Sequence, residues 1–181
     1  MKFFRQHIPE VVLIEPEMHG DDRGYFIETF RQDLFEKAVG YRVNFVQDNH
    51  SISSQGTLRG LHYQIPNPQG KLVRVISGEI FDVAVDIKKT SATFGQWCGV
   101  KISSDNKKQI WIPPGFAHGF LVLSPIAEVL YKTTDYWHKE NEKTIIWDDE
   151  DISIEWPKLE KIIISEKDLN GLAFIESTYF K

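Results

Sequence analysis

Cysteine is nearly absent from this sequence, which contains only Cys98 among its 181 residues. A single cysteine excludes an internal disulfide and leaves no cysteine set that could hold zinc, a pattern typical of a reducing compartment. Long apolar runs are absent as well, so the sequence predicts no membrane-spanning helix. Polar side chains and Pro9 interrupt the first residues before the apolar core of a signal peptide could form. We therefore expect a cytoplasmic protein.

An excess of positive charge is also missing, because the formal net charge is −5. A nucleic-acid-binding protein with a broad basic face is therefore disfavoured. A hydrophobic content of 41% and an aromatic content of 13% instead indicate a globular protein rich in sheet-forming residues. A pocket can still be positive inside an acidic surface. We expect a small anion to be bound by local cations, namely Arg23, Arg59, Lys71 and Arg74.

The hydrophobic pattern predicts a mainly β protein. Short strands at regular spacing, separated by Gly, Pro, Asn and Asp, are typical of an antiparallel sandwich or barrel. Strands are predicted over residues 11–14, 25–30, 42–47, 71–76, 78–87, 96–102, 109–112, 119–123, 128–133 and 144–147. A helix is predicted over residues 32–39, ended by Gly40, with a final turn near 165–169. We expect one domain over residues 1–181, closed by a C-terminal segment from about 157 to 181.

Residues 78–87 show the clearest strand pattern, because apolar side chains alternate there with small or acidic ones. The alternation places Phe81, Val83, Val85 and Ile87 on one face and Asp82, Ala84 and Asp86 on the other. Two acids on the second face indicate either a wet surface or the lining of a polar cavity.

Residues 58–74 place one histidine among three permanent cations in sequence that is otherwise typical of strands. His62 could act as a base near neutral pH. Arg59, Lys71 and Arg74 suit a phosphate group or an oxyanion that develops during a reaction. The same segment also fits an ordinary strand pair with a solvated basic edge, and by itself it does not decide between the two.

The spacing of glycines and histidines resembles the two motifs of the cupins, which are small antiparallel jelly-roll barrels. Gly56 precedes His62, Lys71 precedes Gly78 by seven positions, and residues 113–118 read Pro-Pro-Gly-Phe-Ala-His. Two metal-ligand positions differ, because Gln64 replaces the second histidine and Lys71 replaces the glutamate. A cationic lysine cannot be a metal ligand. We therefore expect no metal and no cofactor, and a fixed ammonium charge that can stabilise an enolate oxygen.

Six segments, taken together and in order, closely resemble the dTDP-4-dehydrorhamnose 3,5-epimerase family. The resemblance runs from about residue 8 to about residue 170. The segments are residues 21–30, 45–51, 58–64, 81–86, 112–120 and 165–168. It implies a mainly β, antiparallel jelly-roll (cupin) barrel with a few short helices, assembled as a homodimer.

The resemblance implies an isomerase that inverts C3 and C5 of dTDP-4-dehydro-6-deoxy-D-glucose, giving dTDP-4-dehydro-L-rhamnose in dTDP-L-rhamnose biosynthesis. Both carbons flank the C4 ketone, so each can lose its proton to form an enolate and regain one on the opposite face. That chemistry needs a base, an oxyanion stabiliser and an acid on the other side. No nucleic acid or membrane partner is implied.

The resemblance also implies roles for fourteen residues. The catalytic set is His62 as base, Asp168 as the carboxylate that orients it, Lys71 as enolate stabiliser and Tyr131 as acid. The substrate-binding set is Arg23, Glu28, Gln47, Asp48, Asn49, Arg59, His118, Trp137, Glu142 and Lys167. Arg23 and Glu28, on an early strand, are expected to complete the site of the partner subunit.

Trp137 is a departure from the family pattern. Members usually have a tyrosine pair after the acid, whereas this sequence has Tyr136 and Trp137. Indole offers a broader surface for stacking on thymine, so we expect Trp137 to stack, although the change could also alter the nucleotide or sugar preference.

Three other functions fit parts of the pattern: a 3- or 5-epimerase for a related deoxysugar, a metal-dependent cupin such as a dioxygenase, and a sugar-nucleotide sensor. Individual residues also have structural readings. Tyr131 could be a core tyrosine, Lys71 a surface lysine, and Asp168 a helix-start residue with no reach into the barrel.

Overall fold

The computed structural model describes residues 1–180, which form two antiparallel sheets packed face to face. The strands are β1 (Lys2–Arg5), β2 (Val12–Glu15), β3 (Met18–Asp21), β4 (Gly24–Ile27), β5 (Gln47–Ser54), β6 (Thr57–Gln64), β7 (Lys71–Ser77), β8 (Glu79–Asp86), β9 (Trp97–Ser103), β10 (Gln109–Ile112), β11 (Phe116–Val122), β12 (Ile126–Thr133), β13 (Glu142–Thr144) and β14 (Ile163–Ile164). The predicted mainly β jelly roll is confirmed.

Strand order explains how residues distant in sequence share one interior. The first sheet has the order β1-β2-β10-β7-β12-β5 and the second β13-β6-β11-β8-β9, with β14 parallel beside β6. Consecutive strands such as β5 and β6, or β7 and β8, therefore lie in different sheets. Strands β3 and β4 form a separate hairpin. Each pair of facing strands can thus contribute inward side chains to the same space.

The main core lies between the two sheets, where inward side chains alternate along each strand. It is built from Val73, Val75, Ile80, Ala84, Ile110, Ile112, Phe120, Val122, Ala127 and Val129, together with residues from the N-terminus. Tyr131 packs against this cluster. The core is therefore apolar near its middle and ends at the polar side chains described below.

Strand β8 buries both of its faces, which resolves the alternation seen in residues 78–87. Its outward face, with Val83 and Val85, packs beneath Trp156, Phe174 and the rest of the C-terminal segment. Its inward face contains Asp82, which is fully buried near the polar end of the interior. Thus the face of β8 that carries the two acids is buried and is not a wet surface.

Asp86, the other acid of this face, has a local structural role. Its carboxylate accepts hydrogen bonds from the hydroxyls of Ser91 at 2.5 Å and Thr93 at 2.6 Å, and from the backbone N–H of Lys88 at 3.0 Å. A buried carboxylate needs such donors. Asp86 therefore holds the turn that follows β8.

Helix α1 spans Gln32–Val39, as predicted, and covers the outer face of the first sheet. Phe35 meets Trp111 edge-on with ring centroids 5.2 Å apart. Gly40 follows in the left-handed conformation with φ of 92°, which a residue without Cβ adopts readily. Helix α2 spans Glu166–Leu169, with Ser165 as its N-cap. Two 3₁₀ turns span Lys139–Asn141 and Phe174–Glu176.

Two predicted strands lie mostly outside the observed ones. Of residues 42–47, only Gln47 is in a strand, because Val43 and Phe45 pack among the aromatic rings around α1. The predicted strand 144–147 is instead β13 at Glu142–Thr144. Beyond it, Ile145 is fully buried and makes an isolated bridge with Leu172. In both cases burial of the side chains against another segment explains the apolar pattern.

The C-terminal segment lies along the outside of the second sheet. Strand β14 pairs with the start of β6, and Phe180 forms a bridge with Lys88. Lys181 lies outside the described residues. No helix within residues 1–180 has the length and apolar character needed to cross a membrane. That the chain is a single domain closed by residues 157–181 stays a prediction.

Candidate active site

A polar cavity of about 300 Å³ opens at one end of the sandwich. Its walls come from both sheets, because β5, β7 and β12 face β6 and β13 across it. The lining residues are Gln47, Asn49, His62, Tyr63, Gln64, Gln69, Lys71, Tyr131, Trp137 and Glu142. Seven of the predicted site residues therefore meet in one place, although they span nearly a hundred positions of sequence.

His62 and Asp168 form a close pair at this cavity. Nε2 of His62 lies 2.6 Å from Oδ1 of Asp168, and the other carboxylate oxygen accepts a longer bond of 3.4 Å from the N–H of Gly60. Burial raises the pKa of Asp168, but the hydrogen bond and charge of His62 and the bonds from Gly60 and Ser165 outweigh it and hold that pKa below its usual value. Asp168 is therefore an ionised acceptor.

The position of Asp168 follows from local structure in the C-terminal segment. Ser165 caps α2 by accepting a hydrogen bond from the N–H of Asp168. Strand β14, immediately before this cap, is paired to β6, the strand that carries His62. The first turn of α2 is thereby placed against β6, and Asp168 reaches the histidine. The structural reading in which Asp168 cannot reach the barrel is wrong.

Lys71 is buried beside the same histidine. Its Nζ donates a hydrogen bond of 3.3 Å to the backbone carbonyl of His62. Burial lowers the pKa of Lys71 to about 8, against the opposing charges of Asp82 and Glu142. Because Lys71 is 8% exposed, the reading of a surface lysine is wrong. The cavity thus contains an ammonium group that is charged at neutral pH and poorly solvated.

Tyr131 lies on the other sheet from His62. It belongs to β12, where it is opposite Asn49 of β5, and its ring packs against the core while the residue lines the cavity. Burial raises the pKa of its hydroxyl, although Arg59 opposes the shift. The phenol therefore stays protonated at neutral pH and can donate a proton.

His118 is next to His62 across β6 and β11 but is bonded elsewhere. Its Nε2 lies 2.9 Å from Oδ2 of Asp82, and both side chains are buried. Burial lowers the pKa of His118, and Asp82 opposes this change. His118 is not among the cavity-lining residues. Within residues 1–180, its ring is hydrogen-bonded to Asp82.

The residues predicted to bind nucleotide are divided by the alternation of β5. Gln47 and Asn49 line the cavity, whereas Asp48 points to the outer face of the sheet. There its carboxylate accepts a 2.9 Å bond from Nζ of Lys132. Neighbouring strand residues face opposite sides of a sheet, so one cavity cannot receive all three side chains.

The rim of the cavity carries paired charges and an exposed indole. Nζ of Lys167 lies 2.5 Å from Glu142, and Nε of Arg59 donates to the hydroxyl of Ser53 at 3.1 Å. The side chain of Trp137 is half exposed, at 51%, and lines the cavity mouth. These groups are positioned to meet a ligand that extends outward from the cavity.

Arg23 and Glu28 are not brought to this cavity within the chain. The Arg23 side chain is 90% exposed on the β3–β4 hairpin and is paired with Asp21 at 2.5 Å. Glu28 lines a separate surface pocket with Met1, Glu17, His19 and Phe26. Their predicted roles stay predictions that require a second subunit.

The donor set at the cupin-like positions is a poor fit to a metal ion. His62 and His118 are each bonded to an aspartate, Gln64 uses its amide on the backbone, and Lys71 is cationic. No group of three or more His, Cys, Asp or Glu side chains in residues 1–180 is arranged to hold a metal. The expectation of a reaction without a cofactor stays a prediction.

Sequence reasoning missed two parts of the site. It identified Gln64 only as the residue that replaces a metal ligand, and it did not consider Gln69 at all. It also left Asp82 without a partner, although two buried acids alternating with apolar residues were the available signal. The amide contacts could not be predicted because they join loops whose course the pattern does not specify.

Comparisons with known proteins agree with this arrangement. A family model described as dTDP-4-dehydrorhamnose 3,5-epimerase matches residues 5–176. A dTDP-4-dehydrorhamnose 3,5-epimerase from Pseudomonas aeruginosa is 56% identical over 180 residues, which cover 99% of either chain. Structurally, the chain is similar to two solved epimerases.

One is a dTDP-6-deoxy-D-glucose-3,5-epimerase from Legionella pneumophila, in complex with dTDP-4-keto-L-rhamnose. It has a TM-score of 0.94 and 49% identity, with 97% of this chain and 93% of the other covered. The second is a dTDP-4-dehydrorhamnose 3,5-epimerase from Elizabethkingia anophelis, with a TM-score of 0.95 and 44% identity over 99% of both chains. The cavity geometry, the family model and these relatives establish that the chain belongs to the dTDP-4-dehydrorhamnose 3,5-epimerase family.

Proposed function

We propose that the chain inverts C3 and C5 of dTDP-4-dehydro-6-deoxy-D-glucose and forms dTDP-4-dehydro-L-rhamnose. The observation that carries the proposal is the cavity itself, which places the His62–Asp168 pair, the buried Lys71 ammonium and Tyr131 around one space. A ketone bound there can lose and regain the proton on a neighbouring carbon.

His62 acts as the base through Nδ1. Its Nε2 is 2.6 Å from the ionised carboxylate of Asp168 and therefore carries the hydrogen of that bond. Nδ1 then has a free lone pair that can take a proton from C3 or C5. Asp168 stabilises the imidazolium that forms, and it holds the ring in place throughout the step.

Lys71 stabilises the enolate that proton loss creates. When the electrons of the C–H bond move onto the carbonyl, negative charge develops on the C4 oxygen. A buried ammonium interacts with that charge more strongly than a solvated one would, since little water screens it. The bond from Nζ to the His62 carbonyl keeps the cation beside the base.

Tyr131 returns a proton from the opposite side. Inversion requires that the new proton arrive on the other face of the sugar ring, and Tyr131 and His62 belong to opposite sheets. Because burial raises its pKa, the hydroxyl is protonated before each turn. The phenolate formed afterwards is near Arg59, whose charge favours it.

The nucleotide extends to the mouth of the cavity. Trp137 stacks on thymine, while Gln47 and Asn49 offer amide groups to the base or sugar. Arg59 and Lys167 offer cations to the diphosphate and sugar. Glu142 and His118 complete the predicted binding set, and Asp48 can contribute only from its backbone or to another subunit.

The active form is a homodimer in which the β3–β4 hairpin reaches the partner's cavity. This hairpin exposes Phe26 and Tyr25 together with Arg23, which are apolar and cationic groups accessible to a second subunit. The expected cytoplasmic location of the protein rests on the sequence and stays a prediction.

Incubation in heavy water tests the reaction. With dTDP-4-dehydro-6-deoxy-D-glucose as substrate, solvent deuterium is expected at both C3 and C5, as resolved by proton NMR. Deuterium at one carbon only would make the chain a single-centre epimerase of a related sugar. Binding with no exchange at either carbon would make it a sensor of sugar nucleotides.

A further inference from the structure

We propose that Gln64 is a positioning residue for the nucleotide, acting through the loop that carries Trp137. Gln64 ends strand β6 and is 3% exposed, and all three of its hydrogen bonds go to backbone groups of two loops. The inference rests on the proposed function, because it assumes that Trp137 contacts the thymine base.

The amide of Gln64 brackets the peptide units on either side of Trp137. Its Nε2 donates to the carbonyl oxygen of Tyr136 at 3.1 Å. Its Oε1 accepts from the N–H of His138 at 2.7 Å. Trp137 lies between these two anchored groups, so rotation of its backbone would have to break at least one of these two bonds.

A third bond joins this bracket to the neighbouring loop. The same Nε2 donates to the carbonyl oxygen of Asn67 at 2.8 Å. Asn67 in turn donates through its side chain to Asp135 at 3.2 Å. The loop after β6 and the loop before Trp137 are therefore held to one another through a single buried amide.

Two further glutamines support the same loop, Gln47 from β5 in the other sheet and Gln69 from the loop before β7. Oε1 of Gln47 accepts from the N–H of Trp137 at 3.0 Å, and Nε2 of Gln69 donates to the carbonyl oxygen of Asp135 at 2.9 Å. The indole itself stays half exposed, so packing of the ring alone does not fix its direction. Its backbone is fixed instead by amide side chains.

Only an amide can satisfy this set of contacts. It offers two N–H donors and an acceptor, whereas a neutral histidine has one donor and one acceptor and a carboxylate has none to donate. The position where cupins place a metal-binding histidine is thus used here to hold the stacking loop. Gln64 contributes to affinity for the nucleotide and not to proton transfer.

The test is a double-mutant cycle on dTDP binding. Gln64→Glu keeps the acceptor for His138 but places a carboxylate against the carbonyls of Tyr136 and Asn67. We expect the Kd for dTDP to rise about tenfold or more, and KM to rise by a larger factor than kcat falls. In a Trp137→Ala background the same change should alter the Kd by less than about twofold.

Two additional variants keep the test decisive. In Gln64→Met the new side chain is uncharged and of similar length to glutamine. This variant is used in the cycle if the Gln64→Glu protein does not fold. Gln55→Glu is the matched control, because it makes the same change at another glutamine whose amide donates to a backbone carbonyl. Gln55 lies on the exposed turn between β5 and β6, and its Nε2 donates to the carbonyl oxygen of Leu123 at 2.6 Å. Its Kd for dTDP should match the unmutated protein.

An equal loss of dTDP affinity in both backgrounds would overturn the proposal, because Gln64 would then act independently of Trp137. Amide hydrogen exchange measured without ligand distinguishes a failure of this proposal from a failure of the proposed function. Faster exchange at residues 135–138 in Gln64→Met supports the bracket even if the chain binds no dTDP, and unchanged exchange there contradicts it.

Discussion

At the scale of single residues, the proposed mechanism depends most directly on the ammonium group of Lys71. Burial lowers its pKa to about 8, so it is charged at neutral pH but near the point of losing its proton. A charged lysine in this place is costly to folding, and the same lack of water strengthens the interaction with an enolate oxygen that we propose for it.

The charge of Lys71 should limit activity on the alkaline side. We expect kcat/KM to fall as pH rises through about 8, where Nζ becomes neutral. The folded-state pKa lies below the ordinary value of 10.5, so the unfolded chain binds more protons between the two values. The contribution of Lys71 to the free energy of unfolding therefore increases over that range, while activity falls.

Parallel pH titrations of kcat/KM and of urea unfolding check this opposition. Activity that stays constant up to pH 9.5 would contradict the role of the ammonium group. Lys71→Met should lower kcat by roughly 100- to 1000-fold, the usual effect of removing an oxyanion stabiliser. Lys89→Met, outside the cavity, is the control and should retain activity.

Tyr131 should separate proton loss from product formation. In Tyr131→Phe the base and the enolate stabiliser remain, so deuterium exchange into substrate should survive better than formation of the rhamnose product. Proton NMR in heavy water measures both rates in one sample. If the two rates fall by the same factor, Tyr131 supports the structure and does not act as the acid.

His62 and Lys71 could be predicted from spacing, because cupin motifs fix where inward side chains occur along their strands. Asp168 could be expected only from the family resemblance, since it is 106 positions from His62. Gln64 illustrates the limit. A missing metal ligand is visible in the sequence, but the backbone groups that its amide meets are not.

At the scale of elements, the alternation of side chains predicted where most of the strands lie. The same alternation places the predicted binding residues of β5 on opposite faces of the sheet. The limits of β10 and α1 agree with the predicted ones, since Pro113 follows the first and Gly40 ends the second. Residues 42–46 did not form a strand because their apolar side chains pack against α1. Strands β1, β3 and β14 are two to four residues long, too short for a periodic pattern to appear.

The alternation of β5 predicts unequal effects at neighbouring positions. Asn49→Ala removes an amide from the cavity and should raise the Kd for dTDP by about tenfold, an ordinary effect of losing a ligand hydrogen bond. Asp48→Ala removes an exposed pair with Lys132, worth at most about 1 kcal/mol to stability. Calorimetric titration with dTDP should show the smaller change for Asp48→Ala, and the reverse order would contradict the assignment of faces.

At the scale of the whole molecule, the site depends on segments far apart in sequence. Strand β14 and α2 bring Asp168 to β6, and the exposed β3–β4 hairpin carries Arg23 away from its own cavity. Sequence reasoning could predict an antiparallel sandwich or barrel, because its strands alternate locally, and the resemblance to the cupin motifs and the family predicted the jelly roll. It could not derive these long-range placements from pattern alone, since they depend on how loops and the C-terminal segment pack.

Subunit complementation tests the shared site. His62→Ala and Arg23→Ala homodimers should each have low activity. A mixed dimer places one intact hairpin against one intact cavity, so mixing the two proteins should restore up to about half of the activity per mixed dimer, as two-fold symmetry requires. Size-exclusion chromatography checks that dimers form, and no recovery on subunit exchange would contradict the exchange of hairpins.

The most direct test of the account is deuterium exchange in His62→Ala. The unmutated protein should incorporate solvent deuterium at C3 and C5 of dTDP-4-dehydro-6-deoxy-D-glucose. In His62→Ala, exchange at both carbons should disappear while the Kd for dTDP changes by less than about threefold, because the base is lost and the nucleotide contacts remain. Substantial exchange at either carbon in that variant would show that another group removes the proton.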